Sequence, residues 1–205
     1  MARSLAASEL PLFPLQTVLF PGGLLNLKVF EAHYLDLMVT CLREQRPFGV
    51  VALRSASPSQ ARDLPDDLEV TGVVAELIDV DSTCAGILQV RCRGMRRFAL
   101  GPPRQQADGL WLTHSTPLPD DAAVPPAAGM LGAVKGLANA IAALKRQGTQ
   151  PFLQPYRFDQ AGWVANRWCE ILPIPLTAKQ RLMELVDPAV RLQLVDEYLR
   201  SKGVV

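Results

Sequence analysis

Residues 10–38 constrain the fold more than any other stretch, because almost every position that a core needs there is apolar. Residues 18–20 form an apolar, β-favouring run before the turn sequence Pro-Gly-Gly, which predicts a strand followed by a tight turn. Apolar and polar residues then alternate over residues 25–29, as in a half-buried strand. From Phe30 the apolar residues recur at helical spacing, and we expect a helix whose first apolar anchors are Phe30 and Tyr34.

The next part of the chain predicts a series of short strands. Strand-like runs cover residues 48–53, 68–80, 86–93, 96–100 and 110–116, and residues 54–67 form a polar loop. In the third run, Leu88, Val90 and Cys92 should face the core, and Gly94 should end the strand. About seven short strands and one helix favour a small, mainly antiparallel β-barrel with the helix covering an open end.

The last third of the chain is helical in its periodicity. Residues 118–128 are rich in proline and lack either period, so we place a domain boundary there, with a barrel lobe at 1–120 and a helical bundle at 121–205. Four helices are expected after it. Their predicted signals are an N-cap at Asp159, a capping box at Thr177 and Gln180, an N-cap at Asp187, and a final apolar stripe of Val190, Leu194, Val195 and Tyr198.

Composition argues against several classes of protein. The net charge of +1 gives no overall field that would attract nucleic acid or an anionic membrane. Since no 18-residue apolar stretch or signal-peptide core is present, we expect a cytoplasmic protein that does not contact the membrane. The four cysteines form no CxxC pair and the chain has two histidines, so free thiols and no metal or other cofactor are expected.

Motifs of catalysis are missing from the sequence. It contains neither the GxxxxGK[ST] loop that cradles nucleotide phosphates nor the GxSxG elbow of hydrolases. The acidic pairs Asp66–Asp67 and Asp120–Asp121 are flanked by loop-like sequence, where solvated turns are the expected outcome. We therefore expect that the chain is not an enzyme.

Several short motifs resemble those of one family. They read Pro11-Leu12-Phe13-Pro14-Leu15, Val18-Leu19-Phe20-Pro21-Gly22, Phe30-Glu31-Ala32-His33-Tyr34, Pro47-Phe48-Gly49-Val50-Val51, Thr71-Gly72-Val73-Val74-Ala75 and Arg93-Gly94-Met95-Arg96-Arg97-Phe98. In this order they resemble the N-terminal, substrate-binding domain of Lon protease over roughly residues 10–200. His33 departs from the pattern, because the family usually has Arg at this position.

The resemblance implies a fold and a function. The fold is an α+β arrangement in which a PUA-like barrel precedes an all-helical lobe. The function is non-catalytic binding of unfolded or damaged polypeptide by a stand-alone member, with a protein partner such as a separate ATPase or protease. The phosphate loop of the ATPase in full-length Lon is absent here.

Two sets of residues are candidates for binding. Apolar side chains near the turn and in the second lobe would either fill an interface between the lobes or form an exposed patch for polypeptide; they are Leu24, Leu25, Phe152, Tyr156 and Trp163. The alternative is RNA binding by a basic cluster of Arg91, Arg93, Arg96 and Arg97. Possible counter-charges for these arginines are Asp63, Asp66, Asp67 and Glu69.

Overall fold

The computed structural model describes residues 9–54, 64–84 and 86–205, which separate into two compact units. The sheet unit contains the residues up to Pro21 together with Leu25–Leu118, and the helical unit contains Gly22–Leu24 together with Pro119–Val205. A domain boundary at residue 120, with independently folding parts on either side, stays a prediction. Most of the predicted loop at 54–67 lies outside the described residues; its end forms the short helix α2 (Leu64–Asp67).

The sheet unit is built on one eight-stranded sheet. Its path is β2-β5-β4-β3-β1-β7-β6, and β8 pairs with β5 off this path. Strands β1 and β3 run parallel, whereas β3–β4, β4–β5, β1–β7, β6–β7 and β5–β8 are antiparallel. The strands are β1 (Leu10–Leu15), β2 (Leu24–Val29), β3 (Phe48–Ala52), β4 (Thr71–Cys84), β5 (Ile87–Leu100), β6 (Arg104–Gln105), β7 (Trp111–Thr113) and β8 (Ser115–Pro117).

The sheet is open in the described structure. Strands β2 and β6 stand at the two ends of the path and do not pair with each other. The α+β class expected from the sequence is therefore present, whereas the predicted closure into a barrel is not shown. The core of this unit contains Leu12, Val51 and Phe98, each no more than 1% exposed.

Two expectations about the N-terminal stretch are wrong. The first strand lies at Leu10–Leu15, and residues 18–20 are a buried loop rather than a strand. Helix α1 (Ala32–Glu44) begins after Phe30, whose side chain is 65% exposed instead of anchoring the core. The apolar character of residues 18–20 correctly predicts that they are buried. Burial alone does not decide whether a segment is a strand or a loop.

Strand β5 is longer than the sequence predicts. Val90 and Cys92 face inward as expected, and Leu88 is half-buried. Gly94 does not end the strand: a β-carbon there would clash with the carbonyl oxygen of Phe20, so the glycine permits a close approach of two backbones. A bulge in the β4–β5 pairing near Gly94 changes which side chains of β5 face outward.

The helical unit contains the four expected helices, with different starts and faces. They are α3 (Leu131–Arg146), α4 (Ala161–Ile171), α5 (Leu176–Glu184) and α6 (Pro188–Ser201), and a 3-10 turn (Ala128–Met130) precedes α3. None of the described helices combines the length and the apolarity that crossing a bilayer requires.

Of the predicted helix caps, only the last is confirmed. The Asp187 carboxylate accepts hydrogen bonds from the backbone N–H groups of Ala189 (2.8 Å) and Val190 (3.2 Å), and Pro188 follows at the first helical position. Helix α4 has Gln160 rather than Asp159 at its N-cap, and no side-chain bond caps it. Helix α5 begins after Pro175, so no capping box forms there.

The predicted apolar stripe of α6 is only partly buried. Val195 is buried, but Val190 and Leu194 are 42% and 44% exposed, and Tyr198 is half-buried. The buried face of α6 instead carries Pro188, Arg191, Leu192, Val195, Asp196 and Leu199. Periodicity failed here because two of the inward positions, Arg191 and Asp196, are charged residues, which a search for apolar residues cannot find.

Arg191 joins three parts of the helical unit. Its guanidinium is 1% exposed and donates to both carboxylate oxygens of Asp121, at 2.5 and 3.0 Å. It also donates to the side-chain oxygen of Asn166 at 3.0 Å and to the backbone carbonyls of Leu182 (2.8 Å) and Leu185. Asp121 is thus a half-buried ion-pair partner and not the solvated turn residue that the sequence predicts.

We expect Arg191→Ala to lower the free energy of unfolding by about 3 kcal/mol or more, because it removes the buried guanidinium that pairs with the half-buried Asp121 carboxylate. Urea unfolding followed by circular dichroism measures the change. Arg181→Ala is a control in the same unit, since Arg181 pairs with Glu184 at 3.4 Å but its side chain is 83% exposed, and its effect should be much smaller. Equal effects of the two substitutions would contradict the role given to Arg191.

The Pro-Gly-Gly turn is anchored in the helical unit by a second buried guanidinium. Arg167 has a fully buried side chain, and its Nη1 donates to the carbonyl oxygen of Gly22 at 2.6 Å. Its Nη2 donates to Glu170 at 2.7 Å. Burial lowers the pKa of Arg167 and raises that of Glu170, and the ion pair opposes both shifts.

Gly22→Ala tests this anchor. Gly22 has a φ of +74°, and a β-carbon there would lie 3.2 Å from Nη1 of Arg167. Gly86 is the matched control, because its φ is +81° and no described atom outside its immediate neighbours lies within 4 Å of such a β-carbon. A left-handed backbone costs either alanine about 1–2 kcal/mol. We expect Gly22→Ala to lose clearly more unfolding free energy than Gly86→Ala, and equal losses would count against the anchor.

Candidate functional site

A groove of about 630 Å³ in the sheet unit lies at the gap between the two ends of the sheet. Lys28 and Val29 of the end strand β2 line it, and so does Gln105 of the opposite end strand β6. The remaining walls come from the end of β1, the start of α1, the β6–β7 turn and β7. The groove therefore occupies the seam across which a barrel would have to close.

Aromatic side chains dominate the apolar lining of this groove. Phe13 and Tyr34 stack with ring centroids 4.1 Å apart, and Trp111 is buried beside the groove. Burial raises the pKa of Tyr34 to about 12, with the nearby charge of Glu31 as the second cause, so its hydroxyl is protonated at neutral pH. Phe30 is different, because its ring is 65% exposed at the rim.

The rim of the groove is polar and continues into a second hollow. His33 and Asp108 line both the groove and an adjoining hollow of about 420 Å³. His33 Nε2 lies 3.8 Å from a carboxylate oxygen of Glu31. The His33 imidazole thus lines both depressions, at the position where the resemblance leads one to expect Arg.

The predicted aromatic residues of the helical unit do lie together. Trp163 is the centre of the cluster, with ring centroids 6.5 Å from Phe152, 5.8 Å from Tyr156 and 5.3 Å from Phe158. The guanidinium carbon of Arg167 lies 5.6 Å and 5.8 Å from the rings of Phe152 and Trp163, within cation–π range. Phe152 is only 4% exposed and so offers little surface to a ligand, whereas Tyr156 and Trp163 are half-buried.

Comparison with known proteins identifies the family. The family described as ATP-dependent protease La (LON) substrate-binding domain matches residues 9–201. The chain belongs to this family. Among solved structures, it is 29% identical to a Lon N-terminal domain protein from Xanthomonas campestris, with a TM-score of 0.72, covering 92% of this chain and 96% of that one.

A second solved structure agrees in fold. The N-terminal domain of Lon protease from the Mycobacterium avium complex is 14% identical, with a TM-score of 0.59, and the match covers 93% of this chain and 97% of that one. No curated protein matches the chain. The resemblance inferred from the sequence motifs is therefore confirmed, and the same α+β fold is shared.

The groove residues of this Lon-family chain were not among the site residues predicted from sequence. Phe13, Tyr34 and Trp111 look like ordinary core residues in the sequence, and Phe30 looks like a helix anchor. The one available signal was that Phe13, Phe30 and Tyr34 all fall in the quoted family motifs. Leu24 and Leu25, which were predicted, are half-buried, and the division into units separates them.

The arginine cluster does not form one continuous basic surface. Arg91, Arg93 and Arg96 are exposed, but Arg97 is 3% exposed. On the neighbouring strand, Asp79 is the register partner of Arg91 and Glu76 that of Arg93. These carboxylates, rather than the predicted counter-charges, stand opposite the arginines and reduce the local positive field.

The predicted counter-charges and acidic pairs have other roles. Glu69 pairs with Arg54 at 3.4 Å, and the backbone carbonyl of Asp66 accepts from Arg54. Asp66 and Asp67 lie in α2, and Asp63 is outside the described residues. Within the described ranges, no group of three or more His, Cys, Asp or Glu side chains is placed to hold a metal ion.

All four cysteines are free thiols, as the sequence predicts. Cys41, Cys92 and Cys169 are buried, and burial raises their pKa values to about 11, 12 and 12. A raised pKa keeps each thiol protonated, and hence a weak nucleophile, at neutral pH. Cys84 alone of the four is exposed.

We expect one of the four thiols of the native protein to react promptly with a thiol reagent near neutral pH, and Cys84→Ser to abolish that reaction. The other three thiols should react at the rate of unfolding, because they are both inaccessible and protonated. The absorbance of the chromophore that the reagent releases, compared between native and denatured protein, gives the number of reactive thiols. A second fast thiol in native Cys84→Ser would show that one buried cysteine is accessible.

Proposed function

We propose that this chain is a non-catalytic module that binds unfolded polypeptide in the groove between β2 and β6. The observation that carries the proposal is the position of the groove. It has an aromatic lining, it is bordered by both end strands of an open sheet, and it exposes Phe30 at its rim. A surface of this kind offers both apolar contacts and backbone hydrogen-bonding groups to an extended chain.

The end strands supply the backbone part of the proposed recognition. An end strand of a sheet has a row of N–H and C=O groups on its outer edge that an added strand pairs with. Lys28 and Val29 lie at the end of β2 that lines the groove. In a folded client, most backbone N–H and C=O groups already pair with each other. This mode of binding therefore favours unfolded clients.

The aromatic side chains supply the apolar part. An apolar side chain that becomes fully buried on binding contributes on the order of 1.5–3 kcal/mol. Phe30 has most of its surface to lose, whereas Phe13 and Trp111, at 6% and 7% exposed, form a fixed base. Such a base needs little rearrangement when a ligand binds, which lowers the entropic cost of association.

The residues predicted from sequence enter the proposal as a second contact. Tyr156 and Trp163 are half-buried aromatic side chains of the helical unit, and Leu24 and Leu25 are half-buried as well. Half-buried aromatic residues are common at protein interfaces, because they combine an apolar body with a polar atom at one end. We propose that they add apolar contacts to a client, with Phe152 packed against Trp163.

Other expected features are also proposals. The family supports a substrate-binding role, and we propose that the chain catalyses no reaction itself and presents clients to a separate protease or ATPase. A PUA-like barrel is compatible with the order of the strands if the seam is closed by a client. The free thiols fit a reducing compartment, so we propose the cytoplasm.

RNA binding by Arg91, Arg93, Arg96 and Arg97 is not retained, because Arg97 is buried and acidic partners face Arg91 and Arg93.

Binding of a reduced, permanently unfolded protein tests the proposal. We expect it to bind at about 200 mM salt, where a mixed-sequence single-stranded RNA does not, since phosphate contacts weaken steeply with salt. Phe30→Ala should weaken binding about ten-fold or more, as the loss of one buried aromatic contact implies. Leu42→Ala is the matched control, because Leu42 is 58% exposed on α1 but does not line the groove.

The same titration separates the two proposed contact surfaces. Trp163→Ala and Tyr156→Ala should each weaken binding more than Arg93→Ala does, provided that the variants keep their native circular dichroism. If only Trp163→Ala and Tyr156→Ala matter, the site is in the helical unit and the groove assignment is wrong. Retention of RNA without binding of unfolded protein would reject the proposed function.

A further inference from the structure

The charges around the groove are unevenly distributed. The exposed carboxylates Glu31, Asp36 and Asp108 line the groove or the hollow that adjoins it. Lys28 is the one basic residue that lines the groove itself within the described chain, His33 aside. The chain as a whole has a net charge of +1, so this acidic rim is a local feature and not a reflection of composition.

The other charged residues of the adjoining hollow are already paired. Glu9 forms an ion pair with Arg104 through both carboxylate oxygens, and Arg46 lies 3.4 Å from Glu44. These pairs largely cancel within the protein. The potential that a ligand meets is therefore set by the three rim carboxylates against Lys28.

We propose that the groove selects extended segments in which a large apolar side chain is followed or preceded within a few residues by Lys or Arg. The apolar side chain would pack beside Phe30 on the aromatic base, and the cation would lie among Glu31, Asp36 and Asp108. Consecutive residues of an extended chain are about 3.3 Å apart, so a long basic side chain a few residues away spans the distance from groove to rim. This inference rests on the proposed function and adds a charge preference to it.

The apolar contacts and the charge–charge contacts of the proposed site should respond differently to salt. Apolar contacts with the groove survive added salt, whereas attraction between exposed charges is screened over about 10 Å at 0.1 M ionic strength. A basic client should therefore lose its advantage over an acidic client as salt increases. Its remaining affinity should equal that of the apolar contact alone.

Three fluorescent Gly/Ser-rich peptides test the proposal by anisotropy on the full chain: one with Phe flanked by Lys, one with Phe flanked by Glu, and one with Ala flanked by Lys. At low salt we expect the Phe–Lys peptide to bind about three- to ten-fold more tightly than the Phe–Glu peptide, the range expected for one or two exposed ion pairs. The Ala–Lys peptide should bind more weakly than either Phe peptide in high salt.

Matched variants locate the source of the preference. The double substitution Glu31→Gln with Asp36→Asn should bring the ratio of the two Phe peptides close to one. Asp120→Asn with Asp159→Asn removes the same charge from exposed positions of the helical unit and should leave the ratio unchanged. Both rim positions are exposed, and the Glu31 side chain makes no capping bond to α1, so these variants should remain folded.

The outcomes separate this inference from the function on which it rests. Equal binding of the two Phe peptides overturns the charge preference and leaves polypeptide binding intact. A preference that persists in the rim variant, or tight binding of the Ala–Lys peptide that matches the Phe–Lys peptide, also overturns it. Failure of every peptide to bind, together with failure of the unfolded protein, rejects both the function and the inference.

Discussion

The hydrogen bond from Arg167 to the carbonyl oxygen of Gly22 joins residues 145 positions apart, and it fixes the turn that leads into the end strand β2. A guanidinium with no exposed surface tolerates few arrangements, because every donor left without an acceptor carries a large desolvation cost. The turn residues Gly22–Leu24 belong to the helical unit. Strand β2 begins at the last of these turn residues, Leu24.

The sheet of this fold ends in two strands, β2 and β6, that do not pair with each other. An end strand with an unpaired edge invites aggregation unless it is short, charged or covered. Here β2 has six residues and carries Lys28, and β6 has only two residues, so neither edge is long. The seam between them is lined by aromatic side chains, and the proposed binding of an extended chain rests on this feature.

The sequence predicted the family, the α+β class and most of the elements, because alternation in the strands and helical periods in the last third are strong local signals. It failed where tertiary contacts override them. Residues 18–20 are buried as a loop, and Gly94 permits a backbone contact inside β5 instead of ending it. The inward face of α6 carries Arg191. Its partners are Asp121, which precedes α3, Asn166 on α4 and Leu182 on α5. The groove could not be predicted from the sequence, because its walls come from the two end strands of the sheet, and their positions are set by tertiary structure.

The place of β1 within the sheet has a consequence for synthesis on the ribosome. Strand β1 pairs on one side with β3 and on the other with β7, so that Leu10–Leu12 lie beside residues 111–113. Strand β1 thus leaves the exit tunnel with one edge that stays unpaired until β7 emerges, and the turn at Gly22 waits still longer for Arg167. A nascent chain of this protein is for that period itself an unfolded polypeptide that exposes the apolar stretch of residues 10–38, and we expect it to need the protection that chaperones give to other slow, long-range folds.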